Sequence, residues 1–413
     1  MADRRGLWAL LAALTVSTAG TRMSQLAVPW LVLTTTHSPV LTGLVSTAEI
    51  APYVLLQVLG APLVDRLGGR RVAVLSNLVA AAAMGSIPVI WDAGTRQIWP
   101  VLGLVFLAGL ARGPADPATS LLLPQVTARA GMAIDRSTAL SDGAVRLASL
   151  LALPAGGVLI GVLGAANVTA LDAASFLVAT GLILLLVPSA NLEQQPGRPA
   201  GYRAELREGV GYVLRHPLLR RICGMVFFTN LADAAMSGML LLLWVRQHGA
   251  GADRVGLVGG VFGVGAVVGT SLMVAIGGRL PRRPVYALAF LIGGPPRFLA
   301  LLLPLPFPAV LAVWLVAGAA GGAINPVLSA AEYDLVPEPL VARTFSTIGA
   351  LAWAGIPFGA LAASGLIAAH GLAFALAVGG GLYLVATADP FLCKAWAGMN
   401  RVAPAPCPAE VAA

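Results

Sequence analysis

Leu63-Val64-Asp65-Arg66-Leu67-Gly68-Gly69-Arg70-Arg71 is the stretch of sequence that decides the fold. It lies between two long apolar runs and places one acid and three arginines within seven residues. Such a cluster of charges is too costly to hold in hydrocarbon, so we expect a short loop at a membrane surface. The two adjacent glycines allow the chain to reverse direction within a few residues. The three arginines predict that this surface is cytoplasmic.

The composition of the chain is that of an integral membrane protein. Of its 413 residues, 58% are hydrophobic and 11% are charged, with a mean hydropathy of +0.86. A soluble domain carries about 25% charged residues. The net charge of +8 is confined to the gaps between apolar runs, where it sets topology and does not indicate nucleic acid.

Several classes of site are excluded by single residues. The one lysine, Lys394, is followed by Ala395, so the chain has no Walker A loop and no ATPase of that kind. Three cysteines provide no disulfide framework and no metal spacing. The four histidines form no His-x-x-x-His pair inside a span, which argues against a zinc enzyme. We expect no metal and no cofactor.

Twelve apolar runs are long enough to cross a bilayer, which needs about 20 residues. An even number of spans places both termini on one side. With both termini cytoplasmic, the inner segments hold nineteen of the 26 arginines and lysines, and the outer loops hold only Arg96, Arg246 and Arg254. This asymmetry predicts cytoplasmic termini. The runs are 6–33, 41–64, 72–91, 98–123, 139–163, 167–187, 218–245, 255–276, 285–303, 309–333, 344–368 and 372–392.

A polar segment divides these spans into six and six. We expect an N-terminal half at 1–190, a cytoplasmic linker at 191–217, a C-terminal half at 218–392 and a cytoplasmic tail at 393–413. The linker pattern predicts an amphipathic helix at 202–214 on the inner leaflet. The two halves also echo each other, which is typical of a duplicated bundle. The run 66–71 returns at 279–283, Gly109 returns as Gly318 at an offset of 209, and Asp116-Pro117 returns as Asn325-Pro326.

The run from Asp65 to Arg71 resembles the loop signature between the second and third helices of the major facilitator superfamily. The linker at 206–220 is similar to that of the enterobactin-exporter and macrolide-efflux branch. The resemblance implies an all-α fold of two six-helix bundles around one cavity, which opens alternately to either side. It also implies a gating motif, in which the loop acid locks the two halves together. That motif comprises Asp65, Arg66, Gly68, Arg70 and Arg71.

Span five resembles the Gly-Pro-rich motif of antiporters in this superfamily. Pro154 removes a backbone hydrogen bond, and Gly156 and Gly157 permit close helix approach, so we expect a bendable contact. Pro357 matches Pro154 in span eleven. Packing of small residues explains the same pattern.

Ionisable residues inside spans mark functional sites, because each is costly in lipid unless it is paired or hydrated. Glu49, Asp233 and Asp116 are the candidates for proton coupling. By resemblance, the first, fourth, seventh and tenth spans line the cavity. The cavity candidates are Arg22, Trp30, Arg112, Asn230, Asn325 and Trp353, and the other ionisable residues in spans are Arg146, Asp172 and Arg297.

Arg112 and Asp116 are four residues apart, so an ion pair on one helix face is possible. Gly113-Pro114 between them is expected to loosen the helix. Arg297 receives no role from the sequence.

The sequence predicts a monomeric secondary transporter of the cell membrane, which exports a small organic molecule in exchange for protons. Uptake or lipid translocation remains the alternative among transporters. A membrane sensor without transport would need no titratable carboxylate in the cavity, and Glu49 and Asp233 argue against it. A lipid-modifying enzyme would need an acid, His or Ser constellation near the interface, and the sequence shows none.

Overall fold

The computed structural model describes residues 4–60, 64, 66–92, 97–188, 210–336 and 341–400, and its regular structure there is entirely helical. Asp65, the acid of the loop signature, lies outside the described residues, as does most of the linker. Residues 210–215 are helical at the end of the linker, where the Tyr212 hydroxyl donates to the Leu335 carbonyl at 3.1 Å.

The first half of the chain folds into six long helices, of which the fourth is in two segments. We define the terminal face as the face where α1 begins and the distal face as the opposite one. The helices are α1 (Arg5–Thr36), α2 (Pro39–Leu59), α3 (Gly69–Asp92), α4a (Ile98–Arg112), α4b (Ala115–Arg129), α5 (Ile134–Leu163) and α6 (Ala165–Leu186).

The second half repeats this arrangement with more interruptions. Lys394–Asn400 follows as a 3-10 helix, and its Trp396 is fully buried. The helices are α7 (Pro217–Gln247), α8 (Ala252–Ile276), α9a (Arg282–Gly293), α9b (Pro295–Leu302), α10a (Phe307–Gly322), α10b (Ile324–Leu335), α11a (Val341–Trp353), α11b (Ile356–His370) and α12 (Leu372–Leu392).

Within the described residues, eleven helices are long and apolar enough to cross a membrane. The first helix is not among them, although α1 is 32 residues long. Polar residues in its middle, including Thr21, Arg22 and Gln25, lower its hydropathy, and these same side chains line the central cavity. Eleven of the twelve expected spans therefore correspond to candidate spans among the described residues, and the first expected span corresponds to the more polar α1.

Three of the helix interruptions in the described residues, those of α4, α9 and α11, lie at or within two residues of a glycine and a proline. Gly113 and Pro114 separate α4a from α4b, which confirms the expected loosening there. Gly294-Pro295 divides α9, and Ala354-Gly355 divides α11 just before Pro357. In contrast, α5 continues as one helix through Pro154.

The pattern of helix contacts repeats between the two halves. In the first half α1 packs on α5 and α6, α2 on α4a, and α3 on α6. Their counterparts α7 with α11 and α12, α8 with α10a, and α9 with α12 also pack together. The halves contact each other through α5–α8 and α2–α11b. These two contacts are equivalent, because the repeat relates α2 to α8 and α5 to α11. This is the contact pattern of two bundles related by a pseudo-two-fold axis.

Close glycine contacts show that the repeat extends to individual residues. A Cβ atom on Gly109 would overlap the carbonyl oxygen of Glu49, and one on Gly318 would overlap that of Phe262. Gly109 and Gly318 are the pair that the sequence analysis matched, and each brings the backbones of two helices into contact.

Candidate functional site

A cavity of about 900 Å³ lies between the two halves. Helices α1, α2, α4 and α5 line it from one half, and α7 and α11 from the other. In α7 a π-helical turn at Met236–Leu240 presents Ser237 and Gly238 to the cavity. Such turns are frequent at functional sites. The lining includes Thr18, Thr21, Arg22, Gln25, Ser46, Tyr53, Arg112, Asp116, Ser120, Thr138, Asp142, Asn230, Asp233, Ser237 and Trp353.

The cavity is closed on its distal side by two equivalent helix seams. Gly43 of α2 packs against Ala360 and Ser364 of α11b. Gly256 of α8 packs in the same way against Leu153 and Gly157 of α5. Since the lining of α4b and α5 extends to Pro124 and Ile134, the cavity opens toward the terminal face.

This seam register corrects one sequence match. Ala360 occupies the place that Leu153 occupies in the other seam, so Pro357 corresponds to Leu150. Pro154 and Pro357 are therefore one helical turn out of register: Pro154 packs on Gly260 of the other half, whereas Pro357 lines the cavity. Gly157 contacts the Ala252 backbone across the seam, whereas Gly156 packs on Met23 of α1.

A second gap of about 610 Å³ adjoins the cavity between α5 and α8. It shares Arg22, Gln25 and Ser237 with the cavity, so the two spaces are continuous. Most of its wall is apolar, with Leu150 of α5 facing Phe262 and other apolar residues of α8.

Glu49 is a buried acid at the edge of this gap. Its Oε1 lies 3.6 Å from Nη1 of Arg112, and only 6% of the residue is exposed. The guanidinium of Arg112 also lies over the ring of Tyr53, 5.4 Å from its centroid. This places an ion pair between α2 and α4a, in which Coulomb attraction offsets part of the cost of burial.

Asp116 has neutral partners. Its Oδ2 accepts a 2.5 Å hydrogen bond from the Tyr53 hydroxyl and a 3.1 Å bond from Nε2 of Gln57. The ion pair with Arg112 that the sequence spacing allows is therefore not formed. The break at Gly113-Pro114 removes the helical register that would place the two side chains together.

Asp233 forms an ion pair with Arg297, the arginine to which the sequence gave no role. Arg297 is 7% exposed, and its guanidinium lies over the rings of Phe262 and Tyr383. The side chain of Asp233 is 38% exposed, because it also faces the cavity. Asp233, which faces the cavity, thus neutralises the buried guanidinium of Arg297.

The cavity candidates from the sequence divide into two groups. Arg22, Arg112, Asn230 and Trp353 line the cavity, and Asn230 also donates to the Ala352 carbonyl at 2.8 Å. The expectation for the other two is wrong. Trp30 is packed in the hydrophobic core. Asn325 is exposed at the start of α10b, outside both cavity linings.

The basic residues of the loop signature lie at the terminal face. Gly68 has a φ of 86°, which the left-handed turn before α3 requires. Arg66 and Arg71 are exposed, whereas Arg70 bonds to carbonyl oxygens at the end of α6. These contacts lie within one half, and the gating role of the motif stays a prediction.

Tyr53 and Asp142 are cavity residues that the sequence analysis missed, and it also missed Gln57, which donates to the cavity residue Asp116. Glu49, Tyr53 and Gln57 follow each other at four-residue spacing along α2, which places them on one face. That polar stripe on an otherwise apolar helix was the available signal. Asp172, by contrast, is buried between α1 and α6, where Ser175 donates to its carboxylate at 3.4 Å.

The fold and this cavity are those of a membrane transporter. The chain matches the Major Facilitator Superfamily over residues 10–236 and 222–408, and it belongs to that family. It is a multi-pass protein of the cell membrane and a transporter rather than an enzyme.

The relatives agree with this assignment. A multidrug efflux pump named Tap from Mycobacterium tuberculosis is 28% identical over 380 residues, which cover 90% of this chain and 89% of that protein. Tap from Mycolicibacterium fortuitum is 26% identical over 367 residues, covering 88% and 89%.

Two solved structures share the fold. The nucleoside transporter NupG has a TM-score of 0.76 at 11% identity, over 94% of this chain and 99% of its own. A bacterial homologue of the human lysosomal transporter Spinster, inward-facing and unoccupied, has a TM-score of 0.75 at 14% identity, over 98% and 100%.

Proposed function

We propose that this protein exports a small organic molecule from the cytoplasm in exchange for protons, by alternating access. The observation that carries the proposal is the central cavity, which holds charged and polar side chains between two repeated bundles and is bounded toward the distal face by two helix seams. The similarity to the Tap efflux pumps over most of both chains supports export.

The proposed topology has twelve spans, with α1 as the twelfth, and both termini in the cytoplasm. The polar face of α1 suits a helix that lines a wet cavity. The excess of arginines at the terminal face supports the orientation. On this topology the cavity opens to the cytoplasm, and the seams of α2–α11b and α5–α8 close the outer side.

Three acids are proposed to carry the protons. Asp116 is held by neutral donors and has no cation within 4 Å among the described residues, so it can gain a proton without breaking an ion pair. Glu49 and Asp233 each release an arginine when protonated. Protonation of Glu49 therefore frees a positive charge in the first half, and protonation of Asp233 frees one in the second half.

Transport in inside-out vesicles tests the proposal directly. Wild-type protein should drive the uptake of compounds from a fluorescent panel that includes ethidium when the vesicle interior is acidified. Glu49→Gln and Asp116→Asn should abolish that uptake while equilibrium binding of the same compounds persists. For Asp233 the variant is D233N combined with R297Q, which leaves no unpaired buried arginine.

Asp253→Asn is the matched control, because this carboxylate is exposed at the distal start of α8 and lies outside both cavity linings. Continued response of all three variants to the imposed pH gradient would overturn proton coupling. Wild-type transport only in right-side-out vesicles would replace export by uptake. We also propose that the monomer is the active unit, which light scattering of the detergent-solubilised transporter can check.

A further inference from the structure

The gap between α5 and α8 is V-shaped. The two helices touch along its distal part, where Gly157 meets Ala252 and Gly263 meets the Leu150 side chain. Beyond this point, toward the terminal face, α8 residues such as Ala266 line open space instead of packing on α5. The gap therefore adds an apolar side chamber to the central cavity.

Two arginines project into this apolar chamber, and neither forms an ion pair with a described carboxylate. Nη1 of Arg22 donates to Oε1 of Gln25 at 2.9 Å, and its Nε donates to Oγ of Ser149 at 3.4 Å. Arg146 is exposed and makes no hydrogen bond or ion pair with the described residues. Arg146 lies three residues before Ser149, so the two residues share one face of α5. Arg22 of α1 contacts that same face through its bond to Ser149.

The acids nearby are committed elsewhere or out of reach. Glu49 also lines the chamber, but its carboxylate lies 3.6 Å from Arg112. Asp142 lies one turn before Arg146, and its carboxylate is more than 4 Å from the guanidinium. Among the described residues, neither Arg22 nor Arg146 has a carboxylate within 4 Å.

A guanidinium at mid-span is expensive unless it meets water or an anion. Arg146 is twelve residues into the 30-residue α5, close to the middle of the span. An apolar wall lowers the local dielectric, so an anion that replaced water there would be held more strongly. The chamber thus combines a surface for an apolar body with two donors for a negative head.

We infer that Arg22 and Arg146 form a binding site for the head of an amphipathic organic anion, whose apolar body occupies the gap between α5 and α8. The inference rests on the proposed function, because it names a substrate class for the same cavity. The guanidinium groups suit a carboxylate, sulfonate or phosphate group, which accepts charge-assisted hydrogen bonds from both arginines.

Equilibrium binding to the full-length protein tests this site without transport. The probe is 11-(dansylamino)undecanoic acid, and its primary amide is the matched neutral ligand. The acid should bind the wild type about tenfold more tightly than the amide. Arg146→Gln and Arg22→Gln should each remove that preference, and Arg146→Lys should restore part of it. Ala266→Phe should weaken both ligands by filling the gap.

Two controls lie on the same helix but outside the chamber. Val264 is 49% exposed on another face of α8, so Val264→Phe adds the same bulk as Ala266→Phe without filling the gap. Arg254 lies over the Phe307 ring at the distal end, so Arg254→Gln removes a charge elsewhere. Both should bind the acid as the wild type does.

Equal binding of acid and amide to the wild type, or an unchanged preference in Arg146→Gln, would overturn the inference. Competition by phosphatidylglycerol with the same arginine dependence would also overturn it, since the site would then belong to a bilayer lipid. Vesicle transport separates this result from the proposed function. Selective binding without transport contradicts export, whereas transport without selective binding contradicts only the anion site.

Discussion

Arg70 and Arg283 make the same contact in the two halves of the protein. Arg70 at the start of α3 donates to the carbonyl oxygens of Leu184 at 2.6 Å and Ile183 at 3.5 Å. Arg283 at the start of α9a donates to those of Pro390 at 2.9 Å and Phe391 at 3.3 Å. Each arginine therefore caps the C-terminal end of the last helix in its half, where unpaired carbonyl groups carry negative charge.

Removing either cap should destabilise its half. Arg70→Gln or Arg283→Gln is expected to lower the free energy of unfolding by about 1–3 kcal/mol, the cost of losing a charged hydrogen-bond donor. Denaturant unfolding in detergent measures this change. Arg71→Gln is the control, because Arg71 is exposed and bonds to no described carbonyl. Equal losses for Arg70→Gln and Arg71→Gln would contradict the capping role.

Much of the fold could be predicted from the sequence, because long apolar runs directly indicate membrane helices. Apolar runs of bilayer length and the run 63–71 are local features that need no tertiary contact to interpret. The equivalence of Gly109 and Gly318 was also visible as a repeat. The register of Pro154 and Pro357 was not, since it depends on how two helices slide at the seam.

The site was harder to predict, since partners depend on packing between helices. Sequence spacing allows a pair between Arg112 and Asp116, but the helix breaks between them and Arg112 lies beside Glu49 instead. Arg297 finds its partner 64 residues away on another helix. The sequence places Trp30 in a cavity-lining helix, but the face that it occupies on α1 is set by packing in the core.

Gly109 should tolerate no side chain. A Cβ atom there would overlap the carbonyl oxygen of Glu49, so Gly109→Ala must separate α2 from α4a and is expected to cost about 1–3 kcal/mol. Gly103 lies on the same helix with open space around it. Gly103→Ala should be neutral or stabilising by up to about 1 kcal/mol, because alanine favours the helix. A thermal-shift assay compares the two, and similar melting temperatures would contradict the close approach.

The pair of Asp233 and Arg297 should behave as a buried ion pair. Asp233→Asn leaves the buried guanidinium uncompensated and is expected to cost about 3–5 kcal/mol. Replacing both residues, as in D233N with R297M, should recover much of that loss. The pair of Arg282 and Asp334 at the terminal face is the control, because the side chain of Arg282 is 28% exposed, compared with 9% for Arg297. Asp334→Asn should cost about 0–1 kcal/mol, and a double-mutant cycle measures both couplings.

His216 should give the start of α7 a dependence on pH. Its Nδ1 accepts the backbone N–H of Leu219 at 3.3 Å, which requires an unprotonated nitrogen. Burial lowers the pKa of His216 in the folded protein. The cap therefore contributes fully above the unfolded pKa of about 6.5, and its contribution is lost as the pH falls below that value.

A comparison with His216→Asn isolates this effect, since asparagine caps a helix and does not titrate. Relative to this variant, the wild type should lose up to about 1 kcal/mol of unfolding free energy between pH 7.5 and 5.5. Unfolding curves at both pH values measure the difference. Parallel changes in the two proteins would contradict the assignment.

A disulfide across the α5–α8 seam should stop transport. A Cβ atom on Gly259 would lie 3.5 Å from that of Leu153, within the range that a disulfide spans. In a background without Cys223, Cys393 and Cys407, oxidation of the Leu153→Cys and Gly259→Cys double variant should fix the distal seam shut. Reduction should restore transport in vesicles.

The control pair is Gly85→Cys with Ala173→Cys, whose Cβ atoms lie 3.3 Å apart within one half. Oxidation of that pair should leave transport intact, because the bundles move as units in alternating access. Undiminished transport by the fully cross-linked seam would rule out opening of the halves at α5–α8.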